Sequence, residues 1–355
     1  MSHLFDPLTL RGTTMHNRVW VSPMCQYSAN DGFVGEWHQV HLGSFSTGGV
    51  GLIMVEATGV VPEGRISIGC PSIEDDKHAE AFKPMIEFAH AHGVKMGIQL
   101  AHAGRKASTT LPGSDHLMAS KEEGGWQAVS PSPIAFHGYP EPRELTTLEI
   151  RLLVRDFAAA AVRAVEVGFD VIEIHAAHGY LLHQFYSPLA NTRTDEYGGD
   201  FEGRTKFLVE VAQAIREAIP EETPLFVRIS ATDWVDDGWN IIDSIELAKI
   251  LKVIGVDLID VSTGGNLHNA PIEATPGFQV PFAAAIRNEA GIPTAAVGMI
   301  TEPEQAEHII VTDEADAVFL ARAMLRNPRW ALTASEKLGV KIDWPRQFEY
   351  SRTLR

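Results

Sequence analysis

Eight short apolar runs rich in β-branched residues recur along this chain, each followed by a loop and then by a stretch of helical periodicity. The runs are Val19–Ser22, Gly51–Val55, Lys95–Leu100, Val171–His175, Leu225–Ser230, Leu258–Ser262, Thr294–Val297 and Ala317–Leu320. Strands that alternate with helices form βαβ units and a parallel sheet. Eight such units predict closure into a (β/α)8 TIM barrel. Length alone would suggest two or three domains for 355 residues, but α/β barrels of this size are common as one. The whole chain, 1–355, is therefore expected to be a single barrel domain.

The helices between the runs carry readable signals. Ile150, Leu153, Val154, Phe157, Ala161, Ala164 and Val165 recur at helical spacing, behind a Thr146/Glu149 capping box and ahead of Gly168. Phe82, Met85, Ile86 and Ala89 form a second stripe closed by Gly93. Asp243 and Glu246 are expected to cap the helix ending near Gly255, and Thr301 and Glu304 the next short one. These stripes read as core. One connection, 108–145, is too long for a bare βα loop and is rich in Pro, Gly and Ser. It predicts a capping segment over the barrel mouth after the third strand. A tail, 343–355, follows the last helix.

The formal net charge of −17 repels phosphate backbones and argues against nucleic acid, although one basic pocket can still hold a small anion. The two cysteines, Cys25 and Cys70, make neither a disulfide framework nor a four-thiolate cluster and fit a reducing compartment. The start of the chain has no basic or apolar leader, and no apolar run is long enough for a bilayer. The expectation is a soluble cytoplasmic protein with no membrane partner.

In a barrel of this kind the active site lies at the C-terminal strand ends. The first strand runs into Ser22-Pro23-Met24-Cys25-Gln26-Tyr27, placing a thiol at the mouth. The third carries Gln99, which offers donor and acceptor together and suits an amide-like ring edge. The fourth ends in His175-Ala-Ala-His178-Gly-Tyr180, where neutral imidazoles can donate to an oxyanion and a phenol can deliver a proton. The same His-x-x-His spacing fits a metal site, but the other strand ends supply no convincing further ligands, so no metal is expected. Arg228 on the fifth strand needs an anion: a bound ligand, or Glu173 or Glu56 as structural partner. After strands seven and eight, Gly298 and Ala321-Arg322 form a phosphate cradle in the position barrels commonly use. The mouth thus suits a phosphate-bearing heterocycle with a polar substrate above it. The residues alone do not single out flavin. A flavin-free phosphate-binding isomerase or aldolase and a non-catalytic flavin-binding barrel stay open, although no lysine at a core strand end supports the aldolase.

Four segments then carry a resemblance. Ser22-Pro-Met-Cys-Gln-Tyr27, Gln99-Leu-Ala-His-Ala-Gly-Arg-Lys-Ala107, Glu173-Ile-His-Ala-Ala-His-Gly-Tyr-Leu181 and Asn191-Thr-Arg-Thr-Asp-Glu-Tyr-Gly-Gly199 resemble the old yellow enzyme family, in its thermophilic-like and xenobiotic reductase subgroup. The resemblance runs nearly end to end. It implies noncovalent FMN, NADPH or NADH as hydride donor, and reduction of activated C=C bonds in α,β-unsaturated carbonyl or nitro compounds. It implies that Ser22, Pro23, Met24, Cys25 and Ala57 border the flavin and that Gln99 binds its pyrimidine edge. Arg228 would sit near N1 and O2, and Gly298, Ala321 and Arg322 would hold the phosphate. His175 and His178 would bind the substrate oxygen, Tyr27 would contact the substrate and Tyr180 would donate the proton. A homodimer or homotetramer is implied as well. Three departures stand out. Ala321 replaces a common glycine. The family's Glu-Asn-Arg run reads Glu202-Gly203-Arg204, a change expected to loosen that loop. The tail reads Gln347-Phe348-Glu349-Tyr350-Ser351-Arg352, displacing an arginine that in part of the subgroup reaches the neighbouring subunit's site.

Overall fold

The computed structural model describes residues 2–353. Eight parallel strands close into a barrel: β1 (Val19–Val21), β2 (Leu52–Gly59), β3 (Lys95–Ala101), β4 (Val171–Ala176), β5 (Leu225–Ser230), β6 (Leu258–Ser262), β7 (Thr294–Ala296) and β8 (Ala317–Leu320). The main outer helices are α1 (Glu36–Ser46), α2 (Lys83–Ala91), α3 (Thr147–Glu166), α4 (Phe201–Ala218), α5 (Ile241–Ile254), α6 (Val280–Ala290), α7 (Pro303–Val311) and α8 (Trp330–Lys337). This is the (β/α)8 barrel that the eight runs predict, and every predicted strand is present within a few residues.

Side chains alternate along a strand, so each barrel strand serves two cores. On β5, Val227 and Ile229 point outward and pack with the helices, whereas Phe226 points inward. The interior near the strand starts is filled by Trp20, Leu52, Met54, Val171, Phe226, Leu258 and Phe319. Trp20 stacks on Phe226 with ring centroids 5.8 Å apart and meets Phe319 edge-on at 5.3 Å. An N-terminal hairpin of Leu8–Leu10 and Thr13–Met15 closes this end, adding Leu10 and Met15 to the plug.

Local signals explain the helix ends, with two corrections. The Thr146/Glu149 box forms on α3: the Thr146 hydroxyl accepts from the Glu149 N–H, and the Glu149 carboxylate accepts from the Thr146 N–H. The cap of α5 is Asn240, not Asp243 or Glu246; its side chain accepts from the N–H groups of Ile242 and Asp243. Neither Thr301 nor Glu304 caps α7. That helix starts after Glu302 with Pro303 in its first turn, and the Thr301 N–H donates to the Gln305 side chain. Glu202-Gly203-Arg204 does not loosen its loop. It forms the first turn of α4, where the Asp200 side chain caps the Gly203 N–H.

The 108–145 segment lies across the strand ends. Its Val129–Ser130 pairs with Arg143–Glu144, and the Ile134 carbonyl accepts from Arg105. In the tail, Arg352 turns back on its own chain. It donates to the Ile342 carbonyl at 3.1 Å, pairs with Glu349 at 2.8 Å and lies 5.7 Å from the Trp344 ring. The last two tail positions, Leu354 and Arg355, lie outside the described residues. Among the described residues no helix is long and apolar enough to cross a membrane.

Candidate active site

Two residues beyond the apolar plug the interior turns polar. Adjacent strands set the pairs by register: Gln99 of β3 faces Glu173 of β4, and Arg228 of β5 faces Asp260 of β6. The Gln99 amide donates to Glu173 Oε1 at 2.7 Å. Arg228 Nε lies 3.1 Å from Asp260 Oδ2, and its Nη1 reaches the Ser22 hydroxyl at 3.4 Å. The expected structural partners of Arg228, Glu173 and Glu56, are therefore replaced by Asp260. Glu56 instead lies 3.3 Å from His38 and accepts from the Gln26 N–H.

This polar layer is not satisfied from within. Glu173 Oε2 and Asp260 Oδ1 are buried without a partner, and Arg228 Nε and Asp260 Oδ2 have only their mutual ion pair, without a hydrogen bond. Burial, then repulsion from Asp260, pushes the Glu173 carboxyl well above the usual range. Burial also lifts Asp260 to about 6, against the pull of Arg228. Buried polar groups without partners are costly and mark a place where another molecule completes the set.

A cavity of about 350 Å³ runs from this layer to the ends of β7 and β8, lined by Arg228, Ser262, Gln279, Gly298, Ala321 and Arg322, with Arg326 beside them. Gly298 holds φ +120°, and a Cβ there would lie 2.8 Å from the Gln279 amide nitrogen. The positive φ favours glycine at that turn, and a Cβ would also displace the end of the Gln279 side chain. Arg322 and Arg326 have no carboxylate partner among the described residues. The arrangement fits FMN: an amide and a guanidinium at the ring end, a bare glycine turn and two unpaired guanidiniums at the phosphate end. Cys25, Ala57, Tyr27 and Tyr180 gather in one small cluster along the wall, with Ser22, Pro23 and Met24 leading into it from β1.

Above this lies the donor group. His175 Nδ1 accepts from the Ala177 N–H at 3.3 Å, which leaves the proton on Nε2. His178 Nε2 is 2.7 Å from the Ser262 hydroxyl, and its ring centroid is 5.2 Å from that of His175. The Tyr180 ring lies 5.0 Å from His175. Burial, reinforced by Arg228, holds both imidazoles well below their ordinary pKa, so both are neutral. Burial holds the Tyr180 phenol well above its own, so it keeps its proton. Tyr27 adopts φ +53°, and burial raises its phenol as well.

Several residues at this site escaped sequence reasoning. Lys106 donates to the carbonyls of His178 and Gly265 at 2.8 and 3.0 Å and sits 4.9 Å from the Tyr180 ring; burial lowers it to about 8. It lies inside a quoted motif, so its position was visible while its contacts were not. Gln279 ties Ser262, Thr263 and the Val297 carbonyl together. His183 accepts from the Gly179 N–H at 2.8 Å and lies 3.1 Å from Asp233, bracing the turn between His178 and Tyr180.

The model of the NADH:flavin oxidoreductase / NADH oxidase family matches residues 3–340. An NADPH dehydrogenase of Geobacillus thermodenitrificans (strain NG80-2) is 49% identical over 349 residues, covering 98% of this chain and 97% of that protein. One from Listeria monocytogenes serotype 4b (strain CLIP80459) is 46% identical over 358 residues, with both chains covered in full. Among solved structures, morphinone reductase in complex with tetrahydroNAD superposes with a TM-score of 0.79 at 27% identity, covering 97% of this chain and 93% of that one.

Proposed function

Because the chain belongs to the NADH:flavin oxidoreductase / NADH oxidase family, the old yellow enzymes, we propose that it is an ene-reductase for activated alkenes. It is an oxidoreductase that uses FMN and NAD(P)H, which removes the flavin-free barrel from consideration. When bound, FMN supplies the hydride equivalent, taken from NAD(P)H and delivered to the β-carbon of the alkene. The substrates in this reading are α,β-unsaturated carbonyl and nitro compounds.

The observation that carries the reading is the cluster of three neutral donors at and just beyond the end of β4: the buried His175 and the partly buried His178 and Tyr180. His175 Nε2–H is free to donate to the carbonyl or nitro oxygen. The Ser262 hydroxyl has one proton for Gln279 Oε1 at 3.2 Å and His178 Nε2 at 2.7 Å; in this reading it turns to His178 and gives up Gln279, which keeps the Thr263 hydroxyl at 2.7 Å. That leaves the proton of His178 on Nδ1 as a second donor. Donation to the oxygen draws charge from the alkene and makes the β-carbon electrophilic. Tyr180 then gives its proton to the α-carbon. In this reading Ser22, Pro23, Met24, Cys25, Ala57 and Gln99, together with the cavity residues Arg228, Gly298, Ala321 and Arg322, hold FMN noncovalently, and Tyr27 contacts the substrate. Its two thiols, both unpaired in the fold, suit a cytoplasmic enzyme. The assembly is a homodimer or homotetramer, which light scattering measures.

The test separates the two halves of the cycle by anaerobic stopped flow. NADPH should bleach the bound flavin, and a panel of enones, maleimides and nitroalkenes should restore it. Tyr180→Phe should slow the enone step about 10²–10⁴-fold, the usual share of a general acid, and leave flavin bleaching nearly unchanged. Enone reduction at the wild-type rate, with chemistry rate-limiting, would remove Tyr180 as the donor.

A further inference from the structure

One contact behind the wall assigned to FMN has no step in the reaction proposed above: the thiol of Cys70 lies against that of Cys25, with the Glu56 carboxylate beside both. The two sulfurs and a Glu56 oxygen all lie within 4.8 Å of one another. Cys25 follows β1 and Cys70 lies on the loop after β2, so tertiary structure alone brings them together. The two loops are tightly docked. The Ala29 N–H donates to the Gly69 carbonyl at 2.8 Å, and the Gly69 N–H and Cys70 N–H are held by Ser67 at 2.9 and 3.1 Å. A Cβ on Gly69 would lie 2.7 Å from the Tyr27 carbonyl oxygen, so only glycine permits this approach.

We propose that Cys25 and Cys70 form a reversible intramolecular disulfide on exposure to peroxide, with Glu56 as the base that takes the first thiol proton. The inference does not depend on the alkene chemistry. Cys70 is fully buried while Cys25 is partly exposed on the wall assigned to FMN, so peroxide that enters beside the flavin meets Cys25 first and Cys70 resolves it. Both steps balance. Cys25 gives its proton to Glu56, its sulfur attacks one peroxide oxygen, and the O–O bond breaks. The departing hydroxide takes a proton from Glu56 and leaves as water, with Cys25 now a sulfenic acid. The Cys70 sulfur then attacks the Cys25 sulfur as its own proton is lost, the S–O bond breaks, and a second water leaves. Two thiols lose two electrons in total, and one peroxide becomes two waters.

Glu56 is suited to the task. His38 Nδ1 accepts from the Gly35 N–H, so its protonated Nε2 faces Glu56, and the Gln26 N–H holds the other carboxylate oxygen. Burial raises this carboxyl above the ordinary range, bringing it nearer to a thiol in proton affinity. The Cys25 thiol is itself raised, first by Cys70 and then by burial. At neutral pH it therefore needs a proton acceptor before it can react, because the thiolate is the nucleophile. A disulfide requires sulfurs about 2.05 Å apart, so closure needs rotation of the two side chains. Disulfides of this kind in reducing compartments are typically transient and redox-sensing.

The experiment treats the FMN-loaded wild-type protein with equimolar hydrogen peroxide, alkylates free thiols and maps the peptides by mass spectrometry. The expected result is the loss of two hydrogens, one peptide linking Cys25 to Cys70, no alkylated cysteine, and full reversal by dithiothreitol. Cys70→Ala, given two or more equivalents of peroxide, should instead carry Cys25 on to a sulfinic acid that dithiothreitol does not reverse. Glu56→Gln should slow cross-linking about 10²-fold near neutrality and recover at alkaline pH, a rescue that a misfolded variant would not show. Wild-type protein that keeps both thiols, or that oxidises Cys25 to a sulfinic acid without a cross-link, would overturn the proposal without any variant being needed.

Discussion

The two ends of the barrel interior stand on the same strands, two residues apart, and behave oppositely. Near the strand starts, Trp20, Val171, Phe226 and Leu258 form a dry apolar layer. The next inward positions on those strands are Ser22, Glu173, Arg228 and Asp260, and several of their polar atoms have no hydrogen bond. The first layer stabilises the fold through apolar burial. The second costs stability, a cost that a cofactor held there as proposed would offset. A single alternation along each strand thus yields a core below and the candidate binding site above, and the composition of the layer separates the two.

Neighbouring positions on β5 give the sharpest test. Phe226→Ala should cost about 3–5 kcal/mol in urea unfolding of the apoprotein, the usual range for emptying a packed aromatic site, with FMN still retained. Arg228→Met should destabilise by a similar amount, about 3–5 kcal/mol, since it strands the buried Asp260 carboxylate, and it should release FMN on gel filtration. Equal FMN loss in both variants would break the comparison between the layers.

A smaller effect concerns pH. Burial lowers His102 to about 4, and its Nδ1 accepts from the Gly104 N–H. The unfolded chain binds this proton more readily than the folded one. Its contribution to stability is therefore complete above the unfolded value of about 6.5 and is lost as pH falls towards 4, by up to about 3 kcal/mol. His175 and His178 act in the same direction. His102→Asn, which keeps an acceptor near the Nδ1 position, should flatten the acid limb of a thermal-unfolding series. An unchanged limb would show that His102 is not held neutral by the upper end of the barrel.

Smallest is the effect at the phosphate end. Gly298→Ala places a side chain at φ +120° and against Gln279, a strain of about 1–3 kcal/mol. FMN affinity should fall about tenfold by fluorescence titration, with the helix content unchanged. Unaltered affinity would place the phosphate elsewhere.

Much of this was legible in the chain. The strand runs, the α3 capping box and the long segment over the mouth follow from local patterns, because periodicity and capping act over three or four residues. What failed was non-local or a choice among near neighbours. Asp243 and Glu246 looked like caps for α5, but Asn240 stands at the extended residue just before the helix and takes the role. Glu173 and Glu56 looked like partners for Arg228, but Asp260 is its register partner across β5 and β6. Register depends on how the strands stagger in closing the barrel, and no single strand contains that information.

By itself, then, the sequence determined the number of βα units, which residues stand at the strand ends and which family they resemble. All of these are written in short stretches of chain. Only the tertiary structure decided which buried groups meet. It set Arg228 against Asp260, Lys106 against the carbonyls behind His178, and Cys25 against Cys70. The physical reason is that side-chain contacts across a closed barrel depend on strand stagger and loop docking, which follow from packing the whole chain at once.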